Sequence, residues 1–310
     1  MKILIVCSGN SGSISPFVKD QAMSLEKFGQ SIDFFLIQGR GVIGYLKNIV
    51  KLKKIIKVSK PDLIHAHYGF SGFLANLQRK IPVVTTYHGC DINIYWQLIL
   101  SKITMHLSKY NIFVSSKLSL KARAKNKYSI VSCGVDLDNF KVLDKSESKK
   151  KLGLSIEKYY ILFSSSFSDK VKNYPLAIEA LNILSSEAYN IELIEFKGYD
   201  RKTTNILMNA VDCILVTSFR ESGPLVIKEA MAVNNCAVSV DVGDVAEITK
   251  NLKGYFLTSF NPESVVAGIK HAISLSNQKK RTDGRKRIID LGLDSDTVAK
   301  KIITIYKSLI

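Results

Sequence analysis

One pattern constrains this chain more than any other: short Val- and Ile-rich runs alternate with longer segments of helical period, stop once, and start again. Residues 2–7, 31–37, 62–65, 82–87, 111–115 and 128–132 read as strands, bounded by Gly, Pro or Asn. Helical periodicity fills the gaps, as in 17–28 and 45–60. Residues 137–155 turn polar and charged around Lys149, Lys150 and Lys151, which marks a domain boundary. The alternation then resumes, with strands predicted at 159–164, 191–196, 213–217, 236–240 and 255–257. Such alternation predicts right-handed βαβ units on parallel sheets. The fold expected is therefore α/β, with two Rossmann-like doubly wound domains facing a central cleft, where ligands meet the carboxyl ends of the strands. The domains expected are 1–140 and 141–295. A last amphipathic helix at 296–310 is expected to pack back on the first.

Composition narrows the function classes. Five scattered cysteines, with no CxxC pair, suggest neither a disulfide framework nor a structural zinc site, and fit reduced thiols in a cytosol. The apolar run at the N-terminus is too short for a signal-peptide core, and no stretch approaches the length of a membrane span. Charge is uneven: residues 1–140 hold 19 Lys and Arg against 7 Asp and Glu, and the remainder holds 25 against 20. The basic half should face something anionic. Residues 44–60 carry lysines 47, 51, 53, 54, 57 and 60 and no acid, with Tyr45, Ile49, Leu52 and Ile56 along one helical face. That face is expected to pack on the first core, while Lys47, Lys51, Lys53, Lys54 and Lys57 meet an anionic membrane surface. Nucleic acid is not expected, because aromatics and arginines are not interleaved there.

The segment ESGPLVIKEAMA, residues 221–232, follows an apolar strand and carries the chemistry. Ser222 or Gly223 can cap a helix, with Pro224 in its first turn. The amides of Gly223, Leu225 and Val226 then point at an anion such as a pyrophosphate. Glu221 precedes that helix and Glu229 lies about two turns along it. Two carboxylates so spaced can each grip a diol.

This segment resembles the E-x7-E element of the GT4 family of retaining glycosyltransferases, which have the GT-B fold. MNAVDCILVTS (208–218), DVGDVAEI (241–248), PDLIHAHYG (61–69), TTYHGCDI (85–92), CGVDLDNF (133–140) and KNYPLAIEAL (172–181) resemble other segments of that family, so the resemblance runs over almost the whole chain. It implies that Glu221 binds the donor sugar hydroxyls, Glu229 the ribose, and Lys172 the diphosphate. His88 would contact the transferred sugar. The loop at 8–16, with Gly12, would let backbone approach donor and acceptor; it is neither a GxGxxG nor a Walker A motif. Asp91 would orient His88 or bind acceptor. His65 and His67 form an HxH without a suitably spaced third ligand, so no metal is expected, and His67 is expected to face the cleft beside a packed His65.

One departure stands out. The family places an Arg after the first strand of the second domain, and this chain has Ser164, Ser165 and Ser166 there. Lys170 or the hydroxyls of Ser165 and Ser166 are the available substitutes. The expected activity is metal- and cofactor-independent transfer of a sugar, with retention, from a nucleoside-diphosphate donor to a glycan or lipid-linked acceptor. Bacterial surface polysaccharide synthesis, in the cytoplasm or peripherally on the inner face of the membrane, is the expected setting. The alternatives are a nucleotide-sugar epimerase on the same fold and a non-catalytic basic module binding membrane or nucleic acid.

Overall fold

The computed structural model describes every residue except Ser11 and Arg40, with the side chain of Val42 also undescribed. Ser11 of the 8–16 loop therefore lies outside the described residues. The chain runs β1 (Lys2–Ser8), α1 (Pro16–Lys27), β2 (Ser31–Ile37), α2 (Gly41–Leu46), α3 (Ile49–Ser59), β3 (Leu63–His67), α4 (Gly69–Asn76), β4 (Val83–Tyr87), α5 (Cys90–Asn93), α6 (Tyr95–Leu107), β5 (Tyr110–Phe113), α7 (Ser116–Ala122) and β6 (Tyr128–Ile130). These strands form a parallel sheet in the order β2-β1-β3-β4-β5-β6. The two-residue period of β1 feeds both faces. Ile3, Ile5 and Cys7 pack with Val18, Ala22 and Leu25 of α1, while Leu4 and Val6 pack with Leu52 of α3 and Leu74 of α4. On that second face α4 lies close to its neighbours: a Cβ on Gly72 would stand 2.6 Å from Thr85 and 2.7 Å from Thr104.

The sequence predicts one helix across 45–60, and the structure breaks it. Asn48 is buried, and its side-chain amide donates to the carbonyls of Gln38 and Gly44, both at 2.8 Å. This ties the backbone to the end of β2 and separates α2 from α3. Tyr45, Ile49 and Ile56 still pack on the core beneath, with Leu52 buried at its centre.

The second half continues as α8 (Lys145–Lys151), β7 (Tyr159–Phe163), α9 (Tyr174–Ser186), β8 (Ile191–Glu195), α10 (Arg201–Ala210), β9 (Cys213–Val216), α11 (Leu225–Ala232), β10 (Cys236–Val240), α12 (Val245–Ile248), β11 (Tyr255–Thr258), α13 (Pro262–Asn277) and α14 (Gly284–Asp290). Its parallel sheet has the order β11-β10-β9-β7-β8. Helix starts follow the local sequence: the side chains of Asp144, Asp200 and Asn261 accept the N3 amides of α8, α10 and α13. In β7, Ile161 and Phe163 face the α9–α13 layer, and Tyr160 and Leu162 face α10 and α11.

The last helix, α15 (Ser295–Lys307), places Val298, Ile302 and Tyr306 in the core shared by Ile3, Ile5 and α1. The chain thus divides into one unit of residues 1–134 and 295–310 and another of 135–294. The division falls before 140 because Val135 bridges to Asp294 and Phe140 is buried in the second core. Both sheets are doubly wound: the chain reverses between β1 and β3 in one and between β7 and β9 in the other. These are the points at which open α/β sheets present their ligand crevices.

Candidate active site

In the second unit, the reversal between β7 and β9 gathers two loops. Asp169 caps a single 3-10 turn, Lys170–Lys172, by accepting the amide of Val171 at 3.0 Å. Thr217, at the end of β9, donates its hydroxyl to the carbonyls of Lys172 and Asn173 at 2.8 and 3.0 Å, and the amide of Phe219 donates to Val171 at 2.9 Å. So stitched, the loops bring Lys172 Nζ to 2.7 Å from Glu221 Oε1, which also accepts the Ser218 hydroxyl at 2.8 Å. Both side chains of this pair remain partly open, at 21% and 16% exposure.

Helix α11 starts one residue later than the sequence predicts. Pro224 is the N-cap residue, with Leu225 and Val226 in the first turn, and no side chain caps that end. Pro224 cannot offer an N–H, so the first free helical amides are those of Leu225 and Val226. The turn before it is held by a close approach: Gly243 has φ +59°, and a Cβ there would sit 2.9 Å from the Gly223 amide nitrogen. Beneath the turn, Lys228 Nζ pairs with Asp244 at 3.1 Å, with Lys228 wholly buried. Glu229, 3% exposed, is paired with Arg201 at the start of α10 at 2.5 Å, and that guanidinium also lies 5.4 Å from the Phe140 ring centre. Sequence reading missed Arg201, which stands in no recognisable motif, and gave no role to Asp244, although it lies within the family-like segment 241–248.

Ser166 and Lys170 take different positions. The Ser166 hydroxyl donates to Glu195 at 2.6 Å, and the Phe167 amide joins it at 2.9 Å. These two hydrogen bonds hold the Glu195 carboxyl below its usual range. Lys170 is exposed, two residues from Lys172.

The first unit's candidates lie where β3 and β4 end. His67 Nδ1 meets His88 Nε2 at 2.9 Å, with their rings stacked at 5.1 Å. His65 is held from both sides, by Thr86 Oγ1 at 2.7 Å and by the Tyr306 hydroxyl at 2.5 Å. His67 does not face a cleft: it is wholly buried, because β3 lies between β1 and β4 with helices covering both faces. Its Nε2 has no hydrogen-bond partner. An orphaned N–H costs more than an under-used acceptor, so the network favours His67 protonated on Nδ1 and donating to His88. His88 then carries its own proton on Nδ1. Burial and the neighbouring His65 push the His88 pKa down to about 3, so this ring is neutral near pH 7.

Asp91 corrects another expectation. It is 1% exposed and accepts the amides of Gly89, Gly69 and His88 at 2.7, 3.2 and 3.3 Å. Burial pushes its pKa up to about 6 against these hydrogen bonds. It shapes the loop behind His88 and is closed to an acceptor. Next to it, Tyr68 holds φ 73° and ψ 149°, a conformation costing on the order of 1–3 kcal/mol for a non-glycine residue. Its ring stands 4.8 Å from His88, and that of Phe17 at 4.7 Å. Gly12 has φ +82°, with open space where a Cβ would stand. Among the described residues, no cluster of His, Cys, Asp or Glu is arranged to hold a metal ion.

Residues 5–139 match the Glycosyltransferase Family 4 model, and residues 184–288 match that of Glycosyl transferases group 1. TuaC of Bacillus subtilis, assigned to teichuronic acid biosynthesis as a glycosyltransferase, is 25% identical over 215 residues, 61% of this chain and 55% of its own length. The chain thus spans about half of that relative. Among solved structures, sucrose-phosphate synthase of Thermosynechococcus elongatus superposes with a TM-score of 0.84 at 15% identity, over 99% of this chain and 98% of that one. Anabaena Alr3699/HepE, solved in complex with UDP, gives 0.77 at 17% identity, over 99% and 100%. With a model matched on each sheet and two-sheet neighbours matched end to end, the chain belongs to the group 1, family 4 glycosyltransferases and has their GT-B fold.

Proposed function

We propose that the protein transfers a glycosyl group, with retention, from a nucleoside-diphosphate sugar to a glycan or lipid-linked acceptor of a bacterial surface polysaccharide. The observation that carries this reading is the Lys172–Glu221–Ser218 cluster at the sheet reversal, with Glu229 two turns along α11. In the reaction, the bond from C1 to the diphosphate breaks and a bond to the acceptor oxygen forms on the same face. The acceptor's proton passes to the departing phosphate oxygen, and no carboxylate is assigned as a covalent nucleophile. Lys172 stabilises charge on the leaving diphosphate, as a fixed cation does where charge develops. The amides of Leu225 and Val226 bind phosphate, Glu229 the ribose and Glu221 the sugar hydroxyls. His88, neutral, donates from Nδ1 to a sugar hydroxyl. UDP is the first donor base to test, because the Anabaena neighbour was solved with it.

The setting we propose is the inner face of the cell membrane. Lys47, Lys51, Lys53, Lys54 and Lys57 are all exposed. Each is worth about 1 kcal/mol near an anionic leaflet. No helix among the described residues is long and apolar enough to cross a membrane.

Thermal-shift binding against UDP-, GDP-, ADP- and CMP-sugars tests the donor site, with Glu229→Ala and Lys172→Ala beside it. Stabilisation by one nucleotide class is expected, about 2.7 kcal/mol at a hundred times Kd, and lost in both variants. Stabilisation by none would sink the reading. Conversion of donor to an epimer without acceptor would move it to an epimerase.

A further inference from the structure

Helix α6 is amphipathic the wrong way round for a helix that only faces water. Its inner face carries small polar residues. Ser101 is buried and donates to the Asp91 carbonyl at 2.8 Å, and Thr104 is buried and donates to the Gly69 carbonyl at 3.0 Å. Its outer face carries Tyr95, Trp96, Ile99 and Ile103, exposed by 79%, 55%, 49% and 48%. Their spacing of three and four residues makes them one stripe. No acidic residue interrupts the helix.

The stripe continues sideways. Phe70 of α4 stacks edge-on with Trp96 and tilts against Tyr45 of α2, each at 5.4 Å. Ile43 and Leu46 of α2 and Val50 and Val58 of α3 are exposed as well. Exposed apolar surface on this scale marks a site of association. Its charge is one-sided: residues 34–135 hold sixteen Lys and Arg against two Asp and no Glu. The lysines of α3 flank the stripe on one side. A groove bearing Lys102, Arg123, Lys125 and Lys127 flanks it on the other.

We infer that α6 is a membrane-inserting helix, its Tyr95–Trp96–Ile99–Ile103 stripe entering the interface of an anionic bilayer while the lysines on both sides hold the headgroups. This rests on the bilayer contact proposed above for α3, and gives it the apolar half that lysines alone lack. Tyr and Trp suit the boundary between headgroup and acyl chain. A second copy of the chain is the poorer occupant, since an isologous contact would set two cationic surfaces against each other.

Trp96 is the single tryptophan of the chain, so its fluorescence reports this site alone. The full chain is titrated with vesicles of phosphatidylglycerol and phosphatidylcholine, and with phosphatidylcholine alone. On the anionic vesicles, Trp96 emission is expected to shift to the blue, become protected from acrylamide and be quenched by brominated acyl chains. Ile99→Ser with Ile103→Ser leaves charge unchanged and is expected to weaken vesicle binding by about tenfold or more, with the far-UV spectrum and nucleotide-induced thermal shift retained. Vesicle binding that is lost on changing Lys51, Lys53 and Lys54 to Gln, yet leaves Trp96 emission unmoved, overturns the insertion of α6 and spares the contact of α3. Absence of binding to either vesicle overturns both, without touching the donor site. A blue shift that grows with protein concentration in the absence of lipid assigns the stripe to a second copy, and likewise overturns the proposal.

Discussion

The two units solve the problem of a polar site in opposite ways. The first unit uses neutral imidazoles held rigidly, His65, His67 and His88 with pKa values pushed down by burial, over a buried Asp91 whose pKa is pushed up to about 6. The second uses opposite charges held in pairs, and the pairs are graded by depth. Lys228–Asp244 is sealed, Arg201–Glu229 has one buried partner, and Lys172–Glu221 is partly open on both sides. The difference teaches what each can do. A neutral, fixed donor orients a hydroxyl without reorganisation. A shallow ion pair can exchange its partner for an incoming phosphate, whereas a sealed pair can only hold the scaffold.

The gradation is broken most directly at its deep end. Removing one member of a buried pair leaves an uncompensated charge, so Lys228→Met should destabilise the second unit by about 3–5 kcal/mol. Denaturant unfolding checks this, and Lys228→Met with Asp244→Leu should recover much of the loss. A cost below about 1 kcal/mol would mean that depth does not separate scaffold from site. At the shallow end the expectation reverses. Glu221→Gln keeps shape and fold, and transfer should fall about 10²–10³-fold, in the range found when one transition-state contact is removed. Nucleotide affinity should change only a few-fold. Steady-state kinetics beside calorimetry separates the two.

Acid should sort the units next. His65, His67 and His88 have folded pKa values below the unfolded value of about 6.5. Between those limits the unfolded chain binds more protons, so their stabilisation is complete above pH 6.5 and is lost as pH falls. Asp91 acts in the opposite sense, because its folded pKa of about 6 exceeds the unfolded value, and stability is gained as pH falls through 6. Three histidines against one carboxyl leave a net loss of about 4 kcal/mol by pH 5. Hydrogen exchange resolved by segment should show the first unit weakening and the second holding. Equal weakening would remove the contrast.

The fold was legible because hydrophobic period is a local property. The strands at 31–37 and 236–240 coincide with the β2 and β10 of the structure, and the E-x7-E segment lies at a sheet reversal. What was not legible depends on distant partners. Asn48 breaks a helix by bonding back to Gln38. His67 is buried because β3 turned out to be a central strand, which its own five residues cannot announce. Arg201 reaches Glu229 from 28 residues away along the chain, with no motif around it. Pro224 misled by one position because proline suits both the cap and the first turn of a helix.

The smallest effect concerns the missing arginine. Ser166 stands near its place, and the sequence leaves its hydroxyl as a phosphate ligand. In the structure that hydroxyl is given to Glu195 at 2.6 Å, so a phosphate would have to displace a carboxylate already held by a second donor, Phe167. Lys172 faces the same competition from Glu221, but a cation gains from a dianion far more than a hydroxyl does. Ser166→Ala should therefore change nucleotide affinity by no more than about twofold, the scale of a surface substitution, while Lys172→Ala abolishes binding. Calorimetry on both variants decides it. A tenfold loss in Ser166→Ala would mean that Glu195 swings aside on binding and that the partner exchange assigned to Lys172 extends to the serine loop.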